Sequence, residues 1–185
     1  LMPRMPFYPV DGLLSPSELS AARLDGVLFE VGDGYMPADT VEGDASRAIS
    51  ISMLLIPGVA LCGPSAAWVH GAGDGPPARH HVQRTTLQRI RAALPARVQF
   101  HEPSLDPSDV TRIAGVALTS PARTLVDLAR GIHRHSDYGR WARHLVEYSP
   151  ELATVARREL QALGRTPGKR EGIALLTTIY DEVTR

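Results

Sequence analysis

The sequence predicts an α+β protein: a small winged-helix-like N-terminal head, then a mixed α/β body that ends in helices. Three observations predict it. Ser15-Pro16-Ser17-Glu18 opens a helix that runs directly into a two-stranded hairpin. Residues 115–130, GVALTSPARTLVDLAR, turn a short apolar strand into a capped amphipathic helix. Beyond Gly131 the apolar residues recur only at helical spacing. The implied division is an extended arm over 1–12, a partial winged-helix-like head over 13–41 and the body over 42–185.

The arm carries Pro3, Pro6 and Pro9. Each proline removes an amide donor and blocks helix, which leaves an extended segment. Ser15 then caps a helix with Pro16 in its first turn and Glu18 placed to reach back, as in a capping box. Asp25-Gly26 ends that helix near Leu24. Val27–Val31 and Tyr35–Met36 flank Gly32-Asp33-Gly34, the pattern of a hairpin with a glycine-rich tip. Residues 42–56 repeat apolar residues with helical period and meet a stop at Pro57-Gly58. A short strand follows at Val59–Leu61, then a helix over Ser65–His70 opened by Gly63-Pro64. Arg79–Arg84 and Arg97–His101 read as strands, and Leu87, Ile90, Arg91 and Leu94 suit a short helix between them. Asp106-Pro107-Ser108-Asp109 is a turn leading to Val110–Ile113.

Val116–Leu118 are apolar and read as a buried strand. Ser120 sits at an N-cap position with Pro121 at the first helical position. Ala122, Leu125, Val126 and Ala129 form one apolar face; Arg123 and Asp127 lie four apart on another. Two readings fit this corner. It packs a helix onto a sheet, or its free amides and Arg123 hold an anion at Ser120. Tyr138, Trp141, Ala142, Leu145 and Tyr148 make the next stripe. Ser149-Pro150 starts a helix with Leu152, Val155, Ala156 and Leu163 inward. Ile173, Leu176, Ile179, Tyr180 and Val183 make the last.

Charge is unevenly spread over a chain of zero formal net charge. Residues 1–60 hold three arginines against eight acids, a balance of −5; residues 61–185 hold 17 basic and 12 acidic residues, a balance of +5. A polyanion should prefer the second part. Of the 20 basic residues only Lys169 is lysine. Together with the abundant alanine and proline, that matches a GC-rich genome, so the arginine excess does not itself point to nucleic acid. The single cysteine, Cys62, excludes an internal disulfide and suits a reducing cytoplasm. No apolar run reaches the roughly 20 residues of a membrane span, and no secretory leader is read.

Four stretches resemble the AbiEi-related antitoxins of type IV toxin–antitoxin pairs, in their actinobacterial branch. They are LSPSELSAARLDGVLFEVGDGYM over 14–36, PSAAWVHG over 64–71, PSDVTRI over 107–113 and GVALTSPARTLVDLA over 115–129. The resemblance implies a winged-helix head, an α/β body and binding to the promoter of the protein's own operon. It also implies functional pairing with a nucleotidyltransferase toxin, countered without a stable protein–protein complex. Carried over to this chain, the reading helix holds Ser17, Ser20 and Arg23, and the wing tip holds Gly32 and Gly34. The body arginines Arg84, Arg89 and Arg91 cluster in sequence, as do Arg157 and Arg158; they form either a solvated basic face or a binding face for DNA or an acidic partner. Acids sit where strong DNA binders have arginines: Glu18 on the helix, Glu30 and Asp33 on the hairpin. Those acids favour the alternative, a protein-interaction module that has lost DNA recognition.

No catalytic constellation emerges. Nuclease sites of the Asp…Glu-x-Lys kind need a carboxylate two residues before the lysine, which Lys169 lacks. Gly164–Arg170 is one residue too short between its glycines for a phosphate loop, and Arg170 stands where Ser or Thr is needed. His80 and His81 point to opposite faces of one strand, and His133 and His135 lack a third spaced ligand. The sequence therefore predicts a non-enzyme with no cofactor and no metal.

Overall fold

The computed structural model describes residues 7–10, 12–90 and 94–185. Pro3, Pro6 and Arg91 lie outside the described residues. The head is built from β1 (Tyr8–Pro9), α1 (Pro16–Leu24), β2 (Leu28–Val31) and β3 (Gly34–Pro37). Its sheet is antiparallel in the order β1-β3-β2, so the arm's Tyr8 and Pro9 add a strand opposite Tyr35 and Gly34. The capping box forms: the Glu18 amide donates to Ser15 Oγ, and Ser15 N–H donates to Glu18 Oε2 at 2.8 Å. Leu19 turns inward and is fully buried.

The body starts with α2 (Asp44–Ser52), which stops well short of the expected end at Ile56. Leu54 N–H and Leu55 N–H donate three residues back, to Ile51 and Ser52 carbonyls, and the tightened turn closes the helix. Pro57 disfavours helical geometry at Ile56, so no later turn can form. Next come β4 (Val59–Leu61), α3 (Gly63–Val69), β5 (His80–Arg84), β6 (Val98–His101), β7 (Val110–Ile113) and β8 (Val116–Thr119). The short helix expected around Leu87–Leu94 is absent from the described part; residues 85–90 are irregular and Leu87 is exposed.

The five-stranded sheet runs β6-β5-β4-β8-β7. Its centre is β4, buried along its whole length, antiparallel to β5 and parallel to β8. The two outer pairs differ: β5 and β6 are parallel, β7 and β8 antiparallel. Ala114 and Gly115, both at positive φ, make the β7–β8 turn, the geometry that matches strand twist. Trp68 of α3 is among the largest fully buried side chains and ties α2, the sheet and the helices into one core.

From β8 the chain enters α4 (Pro121–Gly131), followed by α5 (Tyr138–Tyr148), α6 (Glu151–Ala162) and α7 (Lys169–Val183). Ser120 is the N-cap, its Oγ accepting from Arg123 N–H at 3.3 Å, as its position in the sequence predicts. Just inside the corner the buried hydroxyls of Thr119 and Thr124 meet at 2.6 Å. Gly131 is the last helical residue rather than the residue after the helix, and Ile132 takes the C-cap. Pro150, not Ser149, is the N-cap of α6. Helix α4 packs on α3 towards the sheet and on α5, α6 and α7 behind, so it is the axle of the body. Ser120→Ala is expected to cost about 1 kcal/mol of stability. A urea unfolding midpoint that does not move would show that the cap is dispensable.

Candidate functional site

The chemistry-bearing side chains converge on a cleft between β6 and the second half of α4. Cys62, directly after β4, and Gln83 of β5 form its floor; Tyr138 of α5 closes one end. The parallel register of β5 and β6 sets His81 opposite Gln99 and Gln83 opposite His101. His81 and His101 then stack, ring centroids 5.3 Å apart and 22° between planes. Nδ1 of His81 lies 3.1 Å from His101 Nε2 and 3.4 Å from the Tyr138 hydroxyl. Which ring nitrogen donates and which accepts depends on the tautomers of the two histidines. Burial, and then His101, push the His81 pKa down to about 4. Burial and His135 lower that of His101. His135 stacks on Tyr138 at 4.6 Å. Burial pushes the Cys62 thiol and the Tyr138 phenol up, so both stay protonated.

On the α4 wall, Arg123 Nε donates to Asp127 at 2.7 Å and its NH1 pairs with Asp109. Burial works against the Arg123 charge but is outweighed by Asp127 and Asp109, which raise its pKa. Burial raises the pKa of Asp127 against the pull of Arg123. Among the described residues no three His, Cys, Asp or Glu side chains are placed to share a metal ion. Among the described residues no helix is long and apolar enough to cross a membrane.

Residues 59–175 match the model of the AbiEi antitoxin C-terminal domain, more than half of the chain. The chain belongs to the AbiEi antitoxin family. AbiEi antitoxin domains are non-catalytic, and membership gives this protein a non-enzymatic, regulatory role. Among solved structures, the RV2827C protein from Mycobacterium tuberculosis is similar at a TM-score of 0.46 and 15% identity, covering 93% of this chain and 67% of that one. No curated protein matches significantly.

The AbiEi-type body and its head distribute the predicted site residues over separate places. On α1, Ser17 and Arg23 are exposed and Ser20 is half-buried. Arg23 pairs with Glu30 of the hairpin at 3.3 Å. The hairpin tip is not free: it docks against the body. A Cβ at Gly32 would fall 2.2 Å from Ser50 Oγ and 3.0 Å from the Trp68 ring. Gly34 is buried under Phe7. Asp33 of the same tip binds Arg97 at 2.6 Å. The second described head-side arginine, Arg47, is also engaged, by Glu42 and by the carbonyls of Trp68 and Gly73.

In the body Arg84 is half-buried, and Arg89, Arg157 and Arg158 make no ion pair among the described residues. Arg91 lies outside those residues. Lys169 caps α6 through the Gln161 and Leu163 carbonyls. At the Ser120 corner, Arg123 is engaged by Asp109 and Asp127. The cleft histidines were missed by sequence reasoning. Their signal was present, since His81 and His101 each fall in a predicted strand, but only the β5–β6 register makes them neighbours.

Proposed function

We propose that this AbiEi-family protein is a DNA-binding transcriptional regulator of antitoxin type, acting on the promoter of its own operon. The family match over residues 59–175 carries the reading. Antitoxins of this family act through DNA and pair with nucleotidyltransferase toxins, so the functional partner is such a toxin. The helix-then-hairpin order of the head supports a winged-helix-like unit over 13–41, with the arm over 1–12 and the body over 42–185. Arg157 and Arg158 of α6 and Arg89, which make no ion pair among the described residues, supply the phosphate contacts. In the head, Ser17, Ser20 and Arg23 lie on α1, the helix that would enter a groove.

A second reading is favoured by one observation. With the hairpin tip seated on Ser50, Trp68 and Arg97, and with Arg23 facing Glu30, the head has few groups left for phosphate. On that reading the fold is a protein-interaction module without DNA recognition. Titration of a labelled duplex from upstream of the gene, against a scrambled duplex, separates the two. A regulator binds the upstream duplex more tightly at low and at physiological salt. Arg157→Ala/Arg158→Ala is expected to weaken both duplexes and to lower the log–log salt slope by about 2. An unchanged slope removes α6 from the interface. Binding that is equal for both duplexes and vanishes at physiological salt leaves the interaction module.

A further inference from the structure

The cleft between β6 and α4 has no part in the DNA reading, yet it is built like a small-molecule site. We infer that it binds a phosphorylated nucleoside of mononucleotide size. The first support is its dimensions. A cavity of about 420 Å³ lies in the range of ligand pockets and excludes a duplex.

The second support is the pair of flat faces. His101 is backed by the His81 ring, and His135 is backed by the Tyr138 ring at 4.6 Å and 23°. Both front rings line the cavity together with Phe100. Aromatic and imidazole faces held rigid from behind are stacking platforms for a planar base, and they tolerate any base. Both histidines can also turn a ring nitrogen to the ligand.

The third support is the placement of charge. Arg130 lines the cavity with its Nε buried and without a hydrogen-bond partner; its nearest acid, Asp127, is 4.0 Å from NH1. Asp127 is itself held by Arg123. Arg134 is exposed at the same wall and makes no ion pair among the described residues. Two guanidinium groups lining one cavity suit a phosphate dianion. Across the mouth, exposed Glu102 repels a phosphate and accepts from ribose hydroxyls or a base amino group. The ligand is thereby oriented, phosphate to the arginines and base to the faces of His101 on β6 and His135 in the α4–α5 loop. This inference is independent of operator binding.

Equilibrium dialysis on the full chain tests it, with AMP, GMP, CMP and UMP as probes and adenosine and inorganic phosphate as fragments. The expected result is one saturable site for at least one monophosphate, at least tenfold tighter than either fragment. Arg130→Gln and His135→Ala should each weaken it at least tenfold, while Arg157→Ala leaves it unchanged. Imidazole proton resonances of two histidines should shift at saturation and be unmoved by phosphate alone. Thermal melts of both variants identify loss of folding; His135, in the α4–α5 loop, keeps the test open if Arg130→Gln unfolds. Absence of saturable binding to all four monophosphates at millimolar concentration overturns the inference. So does unchanged binding in a folded His135→Ala variant, or phosphate binding as tightly as the nucleotide.

Discussion

Replacing Arg123 with methionine is expected to lower the free energy of unfolding by about 2 kcal/mol, less than for stranding one member of a fully buried ion pair, because the three side chains are part-buried. The two carboxylates it serves come from different elements. Asp127 is one turn along α4; Asp109 precedes β7 and is brought in by the β7–β8 ladder. Burial raises the Asp127 pKa, and the charge and hydrogen bond of Arg123 work against that rise. Without the guanidinium, Asp127 keeps only Arg130, at 4.0 Å. The double variant Arg123→Met/Asp127→Leu should recover part of the loss, because it removes the stranded charge as well. Arg157→Met, at a partly exposed position without an ion pair among the described residues, should stay within about 0.5 kcal/mol of the parent. Urea unfolding of the three variants checks this. If Arg123→Met behaved like Arg157→Met, the trio would be a solvated cluster and not a strut between the sheet and α4.

How far such a strut can be read from sequence depends on how local its causes are. The β8–α4 corner was legible because its determinants are adjacent: a branched strand, Ser120 to cap, Pro121 to start, then apolar residues at helical spacing. The Arg123–Asp127 pair followed from the same spacing. Asp109 needed a register. With Ala114-Gly115 as a two-residue turn, Val110 falls opposite Thr119, and Asp109 arrives beside Ser120. The α2 helix was overextended because its apolar period continues to Ile56, whereas three-residue hydrogen bonds and Pro57 end it sooner. The hairpin of the head was legible, but its docking was not. That Asp33 meets Arg97 and His80 is a long-range fact, 64 residues apart for the first pair. The cleft failed for the same reason: seven scattered histidines have no helical or metal spacing, and only sheet pairing unites His81 with His101.

Those buried histidines should make the protein acid-labile well above the carboxylate range. His70, His80, His81 and His101 all have their pKa values lowered, burial being the largest cause for each. Unfolded histidine titrates near 6.5. Between that value and the lower folded one, the unfolded chain binds more protons, so stability falls as the pH falls. The contribution is complete above about pH 6.5 and, for His81, is lost progressively down to about pH 4. From pH 7.5 to pH 5, His81 alone should account for about 2 kcal/mol. The groups facing it fix that sign: His101, His135 and Arg79 oppose a proton, and Asp137 alone favours one. Asp127 acts in the opposite sense, since a carboxyl with a raised pKa gains a proton more readily when folded. His81→Asn, which removes the titration but retains a polar group, should flatten the pH dependence of the urea midpoint between 7.5 and 5. A parent protein equally stable at both pH values would mean that the imidazoles take up protons in place, and that the His81–His101–Tyr138 contacts do not require a neutral ring.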